Sequence, residues 1–480
     1  MTDSVRAFSV FAAAGLVCGG GAMADPSGGA AHEDVHYCFP GEHGSLELRG
    51  GVERIRVDET VERHLDAKAA ARAASGTIGE RLDVVFVGDG YTAAEQSLFH
   101  ADAQSVEASL FSYEPFKAYR DYFAIHRVEV ISNESGVDND PLGVFRDTAL
   151  GMTYWCNNIE RLLCVDVGAA YAAASAAPDI DQVIALANSS KYGGAGYTTS
   201  NLGTASGGNS LAADIVIHEL GHSLGDLADE YTYGGPTTYN GAEPGDANVS
   251  IYDAPQMISL DTKWADWIGS NDPRFDGPVD TFEGGMYSVF GIYRPTNNSM
   301  MRALGRPFNA PSAEALIIEV YREVSTIDGF TSNAQLIPAD QTVSVVPMQP
   351  IGHSLDIEWS VDGAIVAGET GPTLDLSTLG ITEQVVVTAT VTDNTDMVRN
   401  EDARAALMTD SVSWGVVPSD DPCAGDTDGD GVVGLDDLLA VLGGFGEVTG
   451  GGAAAGDLDG SGVVGLEDLL AVLSAFGGSC

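Results

Sequence analysis

Residues 211–225 read Leu-Ala-Ala-Asp-Ile-Val-Ile-His-Glu-Leu-Gly-His-Ser-Leu-Gly, and no other stretch restricts the folding of this chain as tightly. The segment before His218 has no breaker and carries an apolar face, which predicts a helix. Ser210 or Asn209 is placed to cap its start, and Gly225 to end it in a left-handed conformation. His218 and His222 stand four apart, so a helix sets both imidazoles on one face, one turn apart, able to share one tetrahedral zinc. Glu219 adjoins the first imidazole, where it can take a proton from water at the metal and return it to a leaving amine. The plainer alternative is two buried, satisfied core histidines.

Zinc needs a third protein ligand and an open position. Asp229 and Glu230 are the candidates. On a continued helix Asp229 would share the face of His222 but lie about 10 Å further along the axis, out of reach. The chain must therefore leave the helix at Gly225 and fold back, which makes Asp229 the preferred ligand and Glu230 the alternative. Tyr231 could set a phenol near the oxyanion of a tetrahedral intermediate; a packed tyrosine is the plainer reading.

His218-Glu219-Leu220-Gly221-His222-Ser223-Leu224-Gly225-Asp226-Leu227-Ala228-Asp229-Glu230-Tyr231 resembles the zinc motif of the IgA-cleaving metallopeptidase family. The similarity takes in Gly88-Asp89-Gly90-Tyr91-Thr92, Glu114-Pro115-Phe116, Ser135-Gly136, Tyr192-Gly193-Gly194-Ala195-Gly196, Ser299-Met300-Met301-Arg302 and Pro307-Phe308, covering residues 80–325. It implies a zinc-dependent endopeptidase with an α/β metzincin-like catalytic domain, a mixed sheet with covering helices. It also implies that Met301 forms the methionine turn beneath the metal, with Met300 as the alternative. The segment before the glycine run would be the edge strand that binds substrate backbone. Metzincins carry the third ligand three residues after the motif glycine; that position here is Ala228, so the ligand must shift to Asp229 or come from elsewhere.

At 480 residues the chain is long enough for about three domains. Its 70 acidic against 22 basic residues, net −48, argue against nucleic acid and anionic membranes as partners. Residues 1–24 read as a signal peptide: Arg6, an apolar run Ala7–Val17, and Ala22-Met23-Ala24 before Asp25. A lipoprotein anchor at Cys18 is the weaker reading, because Val17 precedes it. No segment is long and apolar enough to be a transmembrane helix. Export predicts a secreted or cell-surface protein and permits disulfides. Cys156 is expected to pair with Cys164 and Cys423 with Cys480, leaving Cys38 over.

Residues 25–78 form an N-terminal segment or small domain, propeptide or structural. Within 79–328, Leu82–Gly90, Val128–Ile131 and Gln182–Asn188 predict strands and Ala93–Phe111 a helix; Glu59–Ala74 predicts another. From 329 to 417 the helical pattern disappears. Leu355–Gly363 alternates and ends in an Asp-Gly hairpin signal, and Val385–Asp393 is rich in Val and Thr, which predicts a small Ig-like β-sandwich with Trp359 in its core. The chain thus reads as multidomain.

Residues 420–480 hold a repeat of offset 31 residues. Each copy fits a twelve-residue calcium loop: Asp426, Asp428, Asp430, the Val432 carbonyl and Asp437, then Asp457, Asp459, Ser461, the Val463 carbonyl and Asp468. A loop followed by one Leu-rich helix, twice, resembles dockerin modules, which implies calcium-dependent folding and a cohesin-like or cell-surface partner. The expected function is a secreted zinc endopeptidase acting on protein or peptide substrates. The competing reading is a calcium-dependent binding or surface-assembly protein with an inactive peptidase-like domain.

Overall fold

The structure, a computed structural model, describes residues 32–40, 46–56, 78–233, 235–419, 425–446, 456–458 and 463–478. The leader at 1–24 with Cys18, the helix expected over 59–74, Asp459, Ser461 and the pair Cys423 and Cys480 lie outside them. Two compact units result: residues 1–325, 349–354 and 395–408 form the first, and 326–348, 355–394 and 409–480 the second. The chain changes unit at Ser325–Thr326, and two later segments return to the first unit.

The first unit is built on a seven-stranded mixed sheet. Its strands are β1 (His32–Pro40), β2 (Leu48–Arg56), β3 (Leu82–Asp89), β4 (Phe123–Val128), β5 (Gln182–Ala187), β6 (Gly194–Tyr197) and β7 (Leu202–Ser206), in the order β2-β1-β6-β7-β5-β3-β4. β3 and β5 lie in the middle of the sheet and are buried at every position, which is why each is dominated by apolar residues, Val84–Val87 in β3 and Val183–Ala187 in β5. β4, β3, β5 and β7 run parallel, and β6 and then β1 add in antiparallel fashion. β4 starts five residues before the expected strand at Val128, since its pairing with β3 runs from Phe123 to Val128. As an edge strand it tolerates His126 and Arg127, which hid it from an apolar-run reading. β5 is flanked by β3 and β7, so the segment before the glycine run is not the edge strand; the glycine run itself, β6, lies between β7 and β1, and the edges of the sheet are β2 and β4.

The covering helices are α1 (Gln96–Leu110), α2 (Val167–Ala174) and α3 (Ala212–Ser223), followed by α4 (Ala254–Leu260), the hairpin β8 (Phe282–Gly285) and β9 (Ser288–Arg294), and α5 (Ala310–Glu323). α3 lies on β6 and β7 at a distance that only glycine permits. A Cβ on Gly194 would fall 2.5 Å from Ile215 Cγ2, and one on Gly196 2.4 Å from Glu219 Oε2. Asp89 of the Gly-Asp-Gly motif is buried and accepts hydrogen bonds from the Leu150 and Met152 amides at 2.8 and 2.7 Å, so it anchors a loop.

In the second unit β10 (Ile327–Phe330), β12 (Thr342–Pro347) and β15 (Thr373–Asp375) form one sheet. β11 (Ile337–Pro338), β13 (Asp356–Val361), β14 (Ala364–Ile365), β16 (Val385–Thr392) and β17 (Thr409–Val417) form another. One apolar cluster draws on both, centred on the stacked Trp359 and Trp414 rings. The Asp-Gly signal is the turn between β13 and β14, with both Asp362 and Gly363 at positive φ. Helix α6 (Glu401–Leu407) belongs to a segment of the first unit. The repeats supply α7 (Leu435–Gly444) and α8 (Leu466–Ala475), which share a core of Val433, Val441, Val464 and Val472. Among the described residues no helix is long and apolar enough to cross a membrane.

Candidate metal centre

α3 presents His218 and His222 on one face, with ring centroids 4.9 Å apart. His218 Nδ1 lies 3.0 Å from the Met300 carbonyl and His222 Nδ1 2.6 Å from the Leu227 carbonyl. A carbonyl only accepts, so both Nδ1 atoms donate and both Nε2 atoms are left with free lone pairs facing one point. The two Nε2 atoms are 3.3 Å apart, and each is 3.2 Å from Asp229 Oδ1. Metal–ligand bonds of about 2.0–2.2 Å at tetrahedral angles require ligand–ligand edges of about 3.4 Å. Asp229 Oδ1 is buried and accepts no hydrogen bond. Three donors on a tetrahedral edge length, one of them an orphaned carboxylate oxygen, fit a metal such as zinc.

The fold-back that delivers Asp229 differs from the sequence expectation in one detail. α3 ends at Ser223, and the left-handed residue is Asp226, not Gly225. Gly225 is glycine because a Cβ there would meet Leu316 Cδ2 at 2.8 Å and the Gly221 carbonyl at 3.0 Å. Leu227 then donates back to Gly221 O, and the Asn248 side chain brackets Ala228, accepting from its amide and donating to its carbonyl. Ala228 thus turns its backbone to Asn248, and Asp229 faces the imidazoles. Glu230 points elsewhere: its oxygens accept from Asn248, Asn309 and Ser299 at 3.0, 2.8 and 2.6 Å. With both oxygens so occupied, Glu230 is a buried brace away from the ligand triangle. Met301 lies beneath the helix, its Sδ 2.4 Å from where a Gly221 Cβ would sit, and Met300 supplies the carbonyl to His218.

Glu219 is fully buried, and its Oε2 has no partner. Burial pushes its carboxyl up to about 7. Burial also drives His222 down to about 4, helped by the charge of His36, which favours the neutral ligand form. Burial works against the charge on Asp229, but the contacts with His218, His222 and His36 hold its carboxyl well below the usual range. Gly196→Ala should lower stability by about 1–3 kcal/mol, because its Cβ must displace the Glu219 carboxylate; thermal unfolding beside the parent protein measures this.

Several residues of the site had no motif to mark them. Tyr287, held at positive φ in the β8–β9 turn, donates to Asp229 Oδ2 at 2.5 Å. Tyr287→Phe should weaken metal binding about 10–100-fold, as loss of an outer-sphere hydrogen bond does; competition against a chromophoric chelator reads it directly. Strand β1 contributes His36 and Cys38, which alternate onto the face that meets the metal centre. His36 stacks on His222 at 4.1 Å, with Nδ1 3.5 Å from Asp229 Oδ2. Cys38 is buried, its Sγ 3.5 Å from Glu219 Oε1. The Tyr231 hydroxyl donates to the Tyr37 carbonyl at 3.4 Å. The centre is thus closed, and what closes it is this strand.

Residues 71–276 match the IgA Peptidase M64 family. The matched part is under half of the chain, but it contains His218, Glu219, His222 and Asp229, and it supports a metallopeptidase. No curated protein matches the chain. The peptidase match stops short of Tyr287 and Met301 and begins after β1, so those contacts rest on the structure alone.

Elsewhere, Cys156 and Cys164 form a disulfide, Cα atoms 6.2 Å apart. In the first repeat Asp426, Asp428 and Asp437 gather their ligand oxygens within 4.8 Å of one another. Asp430 turns its Oδ1 to the Val432 amide at 2.8 Å. In the second, Asp468 accepts from the Leu458 and Gly465 amides, as its counterpart Asp437 does from Thr427 and Gly434. Asp457 and Val463 begin and follow the part of that loop outside the described residues.

Proposed function

We propose that the chain is a secreted zinc endopeptidase of metzincin-like design, with His218, His222 and Asp229 as metal ligands. The observation that carries this is the triangle of two Nε2 atoms and one orphaned carboxylate oxygen at 3.2–3.3 Å, with the Glu219 carboxylate beside it. When bound, zinc would polarise the scissile carbonyl and lower the pKa of water at the site. Glu219 takes the proton of the attacking water through Oε2 and passes it to the leaving amine; a carboxyl balanced near neutrality suits both transfers. Tyr231, whose hydroxyl already donates to a backbone carbonyl here, donates to the oxyanion as it forms. Met301 supports the helix under the ligands.

The test is cleavage of an unfolded protein substrate with and without a chelator, followed by zinc restoration. Since β1 lies over the centre, Cys38→Ala protein is assayed beside wild type. Cleavage that stops on chelation and returns with zinc is expected; cleavage indifferent to chelation would sink the reading.

A second reading concerns the C-terminal repeats, which we take as a dockerin-like pair of calcium loops. The exposed Leu435, Leu439 and Leu442 and their equivalents Leu466, Leu470 and Leu473 support a binding face for a cohesin-like or cell-surface partner. A protein with this face and an inert metal centre is the outcome if neither protein cleaves anything. Export rests on the leader-like residues 1–24.

A further inference from the structure

Strand β1 treats the metal centre as a substrate strand would. It adds antiparallel to β6, the strand beside Glu219 that would be the edge of the sheet without this hairpin, pairing Val35 with Tyr197 and His36 with Gly196. Its partner β2 closes the opposite side: the Leu48 amide donates to Arg302 O and the Leu304 amide to Leu46 O, each at 3.0 Å. The hairpin therefore bridges the two walls of the cleft, from the glycine strand to the chain just past Met301. Two tyrosines hold its backbone over the centre: Tyr231 donates to the Tyr37 carbonyl and Tyr192 to the Cys38 carbonyl at 3.2 Å. Glu33 fixes one end of the strand, accepting from the Ser200 amide at 2.6 Å.

The strand alternation then directs Cys38 into the centre. Its Sγ, a nitrogen of His218 and an oxygen of Glu219 lie within 4.8 Å of one another. Two buried oxygens of the same centre, Asp229 Oδ1 beside the His218 and His222 Nε2 atoms and Glu219 Oε2 in the carboxylate that Cys38 reaches, have no hydrogen-bond partner, so this is a place that expects an ion. His36 is not the fourth ligand. It stacks on the face of His222 and addresses Oδ2 of Asp229, the oxygen that Tyr287 also reaches, while the triangle uses Oδ1.

We infer that residues 32–56 are a built-in occupant of the substrate cleft and that Cys38 is the fourth ligand of the metal held by His218, His222 and Asp229. This rests on the metallopeptidase reading above. On ligation the Cys38 thiol gives up its proton, which Glu219 Oε1 is placed to accept; on release the thiolate takes a proton back and water regains the position. The full chain is thus latent, with the thiol in the place of water and the strand in the place of a peptide.

The experiment uses the full chain loaded with cobalt in place of zinc. Wild type should show a near-ultraviolet thiolate-to-cobalt charge-transfer band, and Cys38→Ala should lose that band while keeping the visible bands of bound cobalt. The zinc form of Cys38→Ala should cleave an unfolded protein substrate about tenfold faster or more, as expected if the open form is about one tenth populated or less in wild type. A cobalt-loaded wild type without the thiolate band, a band that survives in Cys38→Ala, or cleavage by that variant no faster than wild type would each overturn the proposal and leave the metal site standing. Failure of the underlying reading looks different: neither protein would take up cobalt, and both ideas would fall together.

Discussion

On the proposed function, Glu219→Gln should retain its metal and lose peptide cleavage, with kcat lower by about 10²–10⁴-fold, the usual worth of a positioned general base. The substitution keeps the volume of the side chain, so α3 stays seated on Gly196 and Gly203. What it removes is the ability to accept a proton. The Glu219 carboxyl, raised to about 7 by burial, titrates where proton transfer in both directions is cheap, whereas an amide does not titrate at all. Neither neighbouring carboxylate can stand in for it, because Asp229 is committed to the imidazoles and Glu230 to Asn248, Asn309 and Ser299. The comparison belongs in a Cys38→Ala background, by steady-state kinetics on a peptide beside metal analysis. A Gln variant that cleaves within a few-fold of its parent would remove Glu219 from the chemistry.

Asp229→Ala and Glu230→Gln should fail in different ways. Asp229 is the proposed third ligand, so its removal should weaken zinc binding by more than about 100-fold, the ceiling typical of outer-sphere changes. Equilibrium dialysis against a competing chelator measures that loss. Glu230→Gln places an amide nitrogen where the side chains of Asn248, Asn309 and Ser299 donate. It should lower stability by about 1–3 kcal/mol per donor left unpaired while leaving zinc affinity close to wild type. Loss of zinc from the Glu230 variant with retention by the Asp229 variant would exchange their roles.

The contrast between these two neighbours shows which parts of the site were legible before the fold. His218, Glu219 and His222 form a local pattern, and helix geometry alone puts two of them on one face. Asp229 followed from arithmetic along the helix axis, although the residue that makes the turn is Asp226, whose positive φ has no glycine to announce it. Sheet order was not legible. The segment before the glycine run, β5, reads as the edge, but β7 pairs with it and the glycine strand β6 lies beyond, between β7 and β1. Tyr287 and Asn248 reach Asp229 and Ala228 from loops far along the chain, with no spacing rule to link them. Cys38 was visible as the cysteine without a mate, but its destination depends on the pairing of its strand with Gly196 and Tyr197, which nothing local to Cys38 encodes.

The two-way traffic of the backbone between the units has a practical corollary. The chain leaves the first unit at Ser325, returns for 349–354, and returns again for 395–408 before it leaves for good. A truncation at residue 328 would discard α6 along with Glu314's backbone partners at Arg399 and Asn400. The two units are therefore spliced rather than strung end to end. The second unit is made of three such segments, 326–348, 355–394 and 409–480, so an expression fragment of the first unit has to keep 349–354 and 395–408.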